Sequence, residues 1–247
     1  MKKIMMLIGG IAAIAACAGV AAYLGERAEE KHAEDRRLPH QPHGIYERCF
    51  KRPLDCFLAT GALVALSPVL LTLTVVGAAA MGGNPFFTQE RPGKDEKIFK
   101  LLKFRTMNNK KDADGNLLPD EQRLTAYGKW LRATSLDELP ELINIAKGDM
   151  AIIGPRPLLV KYLPYYRDEE RARHAVRPGL TGLAQVNGRN NLLWDDRLHM
   201  DVEYVNHLTF GEDLSILFKT VYKVIKRADV AEKRITPLDE ARQQEGK

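Results

Sequence analysis

The sequence predicts a mainly helical α+β protein, monotopic at a membrane, with a re-entrant helix broken at Ser67-Pro68 and amphipathic helices lying at the interface. Three observations lead there. Two charge-free apolar runs, Ile4 to Leu24 and Cys56 to Met81, stand near the start of a 247-residue chain whose mean hydropathy is only −0.28. The later chain mixes helical stripes with short strand-like runs and glycine–proline turns. Basic residues gather on both sides of the second apolar run. The organisation read from this is an N-terminal hydrophobic segment over 1–25, a linker over 26–47 and a re-entrant helix over 48–83. A cytosolic catalytic domain over 84–230 and a polar C-terminal tail over 231–247 complete the chain.

The first apolar run of 21 residues would form a helix of roughly 31 Å, one hydrocarbon thickness. Its basic start and alanine-rich end also fit a signal peptide, and Ile14-Ala15-Ala16-Cys17 resembles a lipoprotein processing site. An uncleaved anchor is the preferred reading. Seven Lys and Arg in residues 26–52, against two before the run, put its C-terminal side in the cytosol. The second run of 26 residues is long enough to span, at roughly 39 Å. Pro68 interrupts it, because it cannot donate to the Val64 carbonyl and its ring clashes there. A spanning helix shows a cationic excess on one flank. Here Arg48, Lys51 and Arg52 precede the run, and Arg91, Lys94, Lys97, Lys100, Lys103 and Arg105 come after it. Such flanks suit a hairpin that enters and returns to the same face, with Ser67 bonding backbone groups freed at the bend.

Composition limits the function. Apolar residues at 45% and charged residues at 28% describe a globular chain. Net charge +5 and a pI near 9.0 suit lipid headgroups, nucleic acid or phosphorylated substrates. The cationic residues flank apolar segments and no nucleic-acid motif occurs, so nucleic acid is not expected as a partner. Cys17, Cys49 and Cys56 lack metal-ligand spacing and read as buried, inert thiols. Asp112, Asp114 and Asn116 imitate a calcium loop, but Gly115 is misplaced and Arg123 stands where its last glutamate belongs.

The chemistry-bearing residues concentrate in three groups. In Thr134-Ser135-Leu136-Asp137-Glu138-Leu139-Pro140, Ser135 and Glu138 spell a capping box, with Asp137 as the alternative cap that brings Pro140 into the first turn. Either way, two adjacent carboxylates stand at a helix start, a place that also suits phosphate or a magnesium–phosphate pair. Downstream, Lys147 to Met150 is a turn and Ala151-Ile152-Ile153 a short strand. Gly154-Pro155-Arg156-Pro157 then holds a guanidinium in a stiff turn, suited to bidentate phosphate binding or to an ordinary ion pair. Third, Arg177 to Gly182 leads to Gln185-Val186-Asn187-Gly188-Arg189, a glycine-bearing stretch able to wrap a nucleotide. Residues 97–107 fit helix and strand templates equally. Near the end Leu214, Leu217, Phe218, Val221, Tyr222 and Ile225 share one helical face, for the core or for an anionic membrane.

In shared order, Lys51-Arg52, Ser67-Pro68, Lys103-Phe104-Arg105-Thr106-Met107, Ser135 to Pro140, Lys147 to Asp149, Gly154 to Pro157 and Arg177 to Gly182 closely resemble the small monotopic phosphoglycosyl transferases of the bacterial initiating sugar-transferase family. The likeness covers about residues 45–230; residues 1–44 are an addition. It implies that Asp137 and Glu138 form a catalytic pair. Asp137 would attack the phosphorus next to the sugar of a UDP-sugar, release UMP and pass the phosphosugar to polyprenyl phosphate, undecaprenyl phosphate being the expected carrier. The resemblance further implies Mg²⁺ at Asp137 and Glu138, phosphate binding by Arg156, and a phosphate or uridine role for Arg189. It implies an N-acetylated amino sugar and an active site on the cytosolic face of the bacterial inner membrane. A homodimer or downstream glycosyltransferases are further partner candidates. The competing reading is a catalytically inactive, membrane-anchored scaffold of a glycan-assembly complex.

Overall fold

The computed structural model describes residues 40–42, 44–188, 192–226 and 236–245. The first apolar run, most of the 26–47 linker, Cys17 and Arg189 lie outside them.

A π-helical turn, Tyr46–Phe50, runs into helix α1, Lys51–Ala65, and after Leu66 the chain continues as α2, Ser67–Met81. The two limbs meet at 64°. The bend has the expected cause. Pro68 has no N–H for the Val64 carbonyl, and Ser67 Oγ donates to that carbonyl instead, at 2.8 Å. Among the described residues no single helix is long and apolar enough to cross a membrane; the bent pair passes that test only as a unit. Gly82, in the left-handed region at φ 64°, ends α2 by donating to the Ala78 and Ala79 carbonyls.

Both limbs are fastened to the body of the protein. Lys51 and Arg52, part of the basic flank before the second apolar run, are buried. Arg52 donates from Nη1 and Nη2 to the Ile145 and Ala146 carbonyls at 2.9 and 3.1 Å. These carbonyls lie in the last turn of α5, Glu141–Lys147, where a cation offsets the negative end of the helix dipole. Lys51 pairs with Asp213, which also accepts from Tyr46 and Tyr204 hydroxyls at 2.7 Å each. On the second limb Leu73 packs with Phe104 and Leu131, and its carbonyl accepts from Tyr127 Oη at 2.8 Å. The thiols depart from the sequence reading: Cys49 is exposed and Cys56 only half-buried.

The ambiguous stretch after the hairpin turn is a strand. β1, Phe86–Pro92, pairs antiparallel with β2, Ile98–Phe104, in the register Phe86↔Phe104 to Pro92↔Ile98. Leu101 and Phe104 go to the core, while Lys103 and Arg105 line a cavity. Asn144, buried on α5, locks the helix to this strand. It accepts from Leu102 N–H at 3.0 Å and donates to the Lys100 carbonyl at 2.9 Å. Short helices α3, Asp120–Arg123, and α4, Ala126–Thr134, lead up to the site. β3, Ala151–Ile153, pairs in parallel with β4, Gly179–Thr181. Helices α6, Leu183–Asn187, α7, Trp194–Asn206, and α8, Phe210–Lys226, close the core around Ile153, Tyr204, Val205 and Ile216. Within the stretch expected as a polar tail, α9, Leu238–Glu245, is helical, and Leu238 is fully buried.

The stripe on α8 is displaced from the reading as a core face. Asp213 and Ile216 face inward, and Thr220 exchanges a 2.8 Å hydrogen bond with Thr181. Leu214, Phe218, Val221 and Tyr222 stay exposed, Phe218 by 66%. With Phe50 and Phe57 of the first limb they leave large apolar side chains facing outward.

Candidate active site

A 3₁₀ turn, Leu136–Glu138, carries the two adjacent carboxylates. Neither capping scheme forms. Ser135 adopts the left-handed region at φ 55° and terminates α4, its side chain capping nothing, and α5 begins only at Glu141 with Pro140 as its N-cap. Pro140 thereby stands where no backbone donor is required. Glu138 is released from a capping role to make ion pairs across the chain.

Those pairs define the geometry. Lys103 Nζ donates to Glu138 Oε1 at 2.7 Å, and Arg156 Nη2 donates to the same oxygen at 2.7 Å. Lys103 also lies 2.9 Å from Oε1 of Glu141, a carboxyl only 3% exposed. Burial opposes the charge on Glu138, but Arg156 and Lys103 outweigh it and hold this carboxyl down at about 2. Glu141 has the opposite fate. Burial and then the neighbouring Glu138 charge push it up to about 7. Asp137 is raised too, first by burial and then by Glu138, with Lys103 and Arg132 opposing. It forms no ion pair among the described residues.

Arg156 makes the ion pair of the second sequence reading, with Glu138, and leaves 44% of its side-chain surface open. Its turn is fixed by backbone packing. A Cβ on Gly179 would lie 2.1 Å from Gly154 N, and one on Gly182 would lie 2.2 Å from the Gly154 carbonyl oxygen. The glycines expected to wrap a nucleotide therefore serve close backbone approach. From that group Thr181 and Gln185 reach the cavity.

Asp137, Glu138 and Arg156 open on one cavity of about 1270 Å³. Ala62 and Leu66, at the helix break, form part of its wall, as do Leu217 and Val224 of α8. Among the described residues nine cationic side chains line it: Arg91, Lys103, Arg105, Arg123, Lys129, Arg132, Arg156, Arg197 and Lys223, against the carboxylates of Asp137, Glu138 and Asp201. So large a cationic excess demands anionic ligands, and phosphate esters match the guanidinium geometry. The apolar wall at the helix break suits a ligand with a hydrocarbon part. Lys103, Arg91, Arg132 and Glu141 were not singled out as site residues from sequence.

Groups of three or more metal-ligating side chains are absent among the described residues. A magnesium ion needs no such cage, being held commonly by one or two carboxylates with substrate phosphates and water. Asp137, facing the cavity beside Glu138, fits that donor set.

Fold and site together describe an enzyme that handles phosphate esters beside an apolar surface. The chain belongs to the bacterial sugar transferase family, which matches residues 46–227, and within it the chain is a phosphoglycosyl transferase. It is 47% identical over 175 residues to the uncharacterized sugar transferase EpsL of Bacillus subtilis, covering 71% of this chain and 87% of that protein. It is 36% identical over 197 residues to the undecaprenyl-phosphate galactose phosphotransferase of Salmonella typhimurium, covering 73% of this chain and 41% of that protein. With the UDP-glucose:undecaprenyl-phosphate glucose-1-phosphate transferase of Escherichia coli it shares 38% identity over 188 residues, covering 71% and 40%. The chain thus spans about two-fifths of the length of these last two relatives.

Proposed function

We infer that this protein transfers a phosphosugar from a UDP-sugar to polyprenyl phosphate through a covalent intermediate on Asp137. The observation that carries the reading is a carboxylate without an ion pair of its own, facing a cationic cavity, beside a glutamate pinned by Lys103 and Arg156. Asp137 Oδ attacks the sugar-linked phosphorus. The bond from that phosphorus to the oxygen bridging the two phosphates breaks, and UMP departs with the electron pair. An oxygen of polyprenyl phosphate then attacks the acyl phosphate, Asp137 leaves as carboxylate, and polyprenyl-diphosphosugar is formed. Anion approaching anion is repelled unless fixed cations offset the charge, and Arg156 and Lys103 are already oriented by Glu138 to do so. Mg²⁺, when bound at Asp137 with Glu138 nearby, supplies further neutralisation of the diphosphate.

The donor sugar in this reading is an N-acetylated amino sugar. The protein works on the cytosolic face of the bacterial inner membrane, and the bent α1–α2 pair is re-entrant. Support for the membrane part comes from the exposed Phe50, Phe57, Phe218 and Tyr222, and from the apolar residues Ala62 and Leu66 in the cavity wall. Lys219, Lys223 and Lys226 on α8 suit anionic headgroups. The test is UMP release from a panel of UDP-sugars by purified protein, with intact-mass detection of the adduct. No UMP release from any of the panel would overturn the reading; a preference for a neutral hexose would overturn the amino-sugar part alone.

A further inference from the structure

We propose that Arg91 is a second phosphate-binding arginine of the cavity, gripping an anion together with Arg156; this rests on the phosphotransfer reading above. Arg91 stands one residue before the end of β1, held in the hairpin by its pairing with Phe99 of β2. Both Arg91 and Arg156 line the cavity, on elements distant in sequence. Arg156 has a carboxylate partner in Glu138. Arg91 has none within ion-pairing distance among the described residues; its Nη2 donates to the neutral amide of Gln89 at 2.6 Å. Its Nε is closed off from solvent and meets no acceptor among those residues. A half-buried guanidinium is thus oriented by an amide, lines the same cavity as a second guanidinium and makes no ion pair among the described residues.

Burial, and then the charge of Arg156, make the Arg91 proton easier to lose, down to about 10, with Glu141 opposing. A phosphate group between the two guanidinium groups offsets the repulsion and offers each of them an acceptor oxygen. Gln89 has an orienting role, because the Oε1 bond fixes the plane of the fork before a ligand arrives. The recognised chemistry is a phosphate group, from the nucleotide-sugar diphosphate or from the lipid monophosphate.

The test uses full-length protein in detergent, titrated separately with inorganic pyrophosphate, UDP and a short-chain polyprenyl phosphate. Arg91→Gln should weaken binding of at least one of them by about tenfold or more, since charge-assisted bidentate contacts are lost. Arg91→Lys, which keeps the charge without the fork, should recover only part. Gln89→Ala should give a smaller loss with Arg91 untouched, and it carries the test if Arg91→Gln does not fold. Losses for pyrophosphate and UDP assign Arg91 to the donor; a loss for polyprenyl phosphate alone assigns it to the acceptor. Equal affinities for parent and variants, or no binding of any probe by the parent, overturn the proposal. UMP release by the parent is scored independently, so an inactive parent counts against the proposed reaction while the binding comparison still decides Arg91.

Discussion

Arg173 donates from Nη2 to the backbone carbonyl of Arg156 at 2.6 Å, while its Nη2 and Nε reach Asp201 Oδ2 at 2.7 and 3.0 Å. A fully buried ion pair therefore holds, through the main chain, the turn whose side chain faces the site. Its role is positional, and no local sequence feature announces it.

Arg173→Met leaves Asp201 without its counter-ion and the Arg156 carbonyl without its donor. The expected cost is about 3–5 kcal/mol of folding stability, the usual consequence of breaking a buried pair from one side. Urea unfolding of the soluble or detergent-held protein measures it. A change below about 1 kcal/mol would mean that the pair is not what holds this turn.

Asp137→Asn is expected to lower UMP release to below about a thousandth of the parent, a loss typical of removing a nucleophile. The covalent phosphosugar should vanish from the intact-mass spectrum while thermal unfolding is unchanged. An adduct persisting in the Asn variant would move the nucleophile elsewhere.

The pH dependence stems from the raised Asp137 carboxyl. Attack requires the anion, so adduct formation falls as pH drops through this group, and burial displaces that limb above the value of about 3.9 for a free aspartate. Glu138→Gln removes a raising charge and frees Lys103 and Arg156 to act on Asp137. The acid limb should therefore move to lower pH even as the rate itself declines. Rapid-quench adduct formation across the acid range is the measurement, and an upward move would refute the assignment.

Stability carries a separate signature. The folded protein binds the Glu141 proton more tightly than the unfolded chain, whose value is near 4.5, so stability falls as pH rises from there to about 7. Glu138 acts oppositely and lower down, adding stability as pH rises from about 2 to 4.5. Buried His174, held down at about 2 by desolvation and then Arg173, acts in the opposite sense below its free value of about 6.5. The Glu141 part is therefore isolated by difference: measured at pH 5 and pH 7.5, the stability of Glu141→Gln relative to the parent should be greater at the higher pH.

For Mg²⁺, chelation is expected to stop UMP release and restored Mg²⁺ to recover it. Full activity in excess chelator would remove the ion from the scheme.

How much of the molecule is legible in its sequence depends on the range over which each residue acts. The break at Ser67-Pro68 depends on backbone atoms a few residues apart, and sequence physics located it, down to the Ser67 hydroxyl on the Val64 carbonyl. The Ala151–Ile153 strand and the Lys147–Met150 turn were similarly local. Asp137, Glu138 and Arg156 stand out by local chemistry, with their roles supplied by resemblance, and they share one cavity. The capping box failed because Ser135 turns left-handed and Glu138 is claimed by Lys103, 35 residues earlier, and Arg156, 18 later. On α8 the period was right, yet buried Asp213 belongs to the inner face because Lys51, 162 residues away, meets it there. Charges that neutralise each other across such separations leave no periodic trace.

The bent pair can be considered from the side of the lipid. Its first limb is riveted at Lys51 and Arg52 and its second at Leu73, all to the same body. The 64° elbow is thus a fixed dimension of the molecule and cannot straighten to match a thicker leaflet without breaking those fastenings. In the proposed re-entrant placement, the lipid is the softer partner and would thin or dimple around the elbow. In the proposed reaction, a carrier lipid entering that dimple would lay its hydrocarbon part against the Leu66 wall of the cavity.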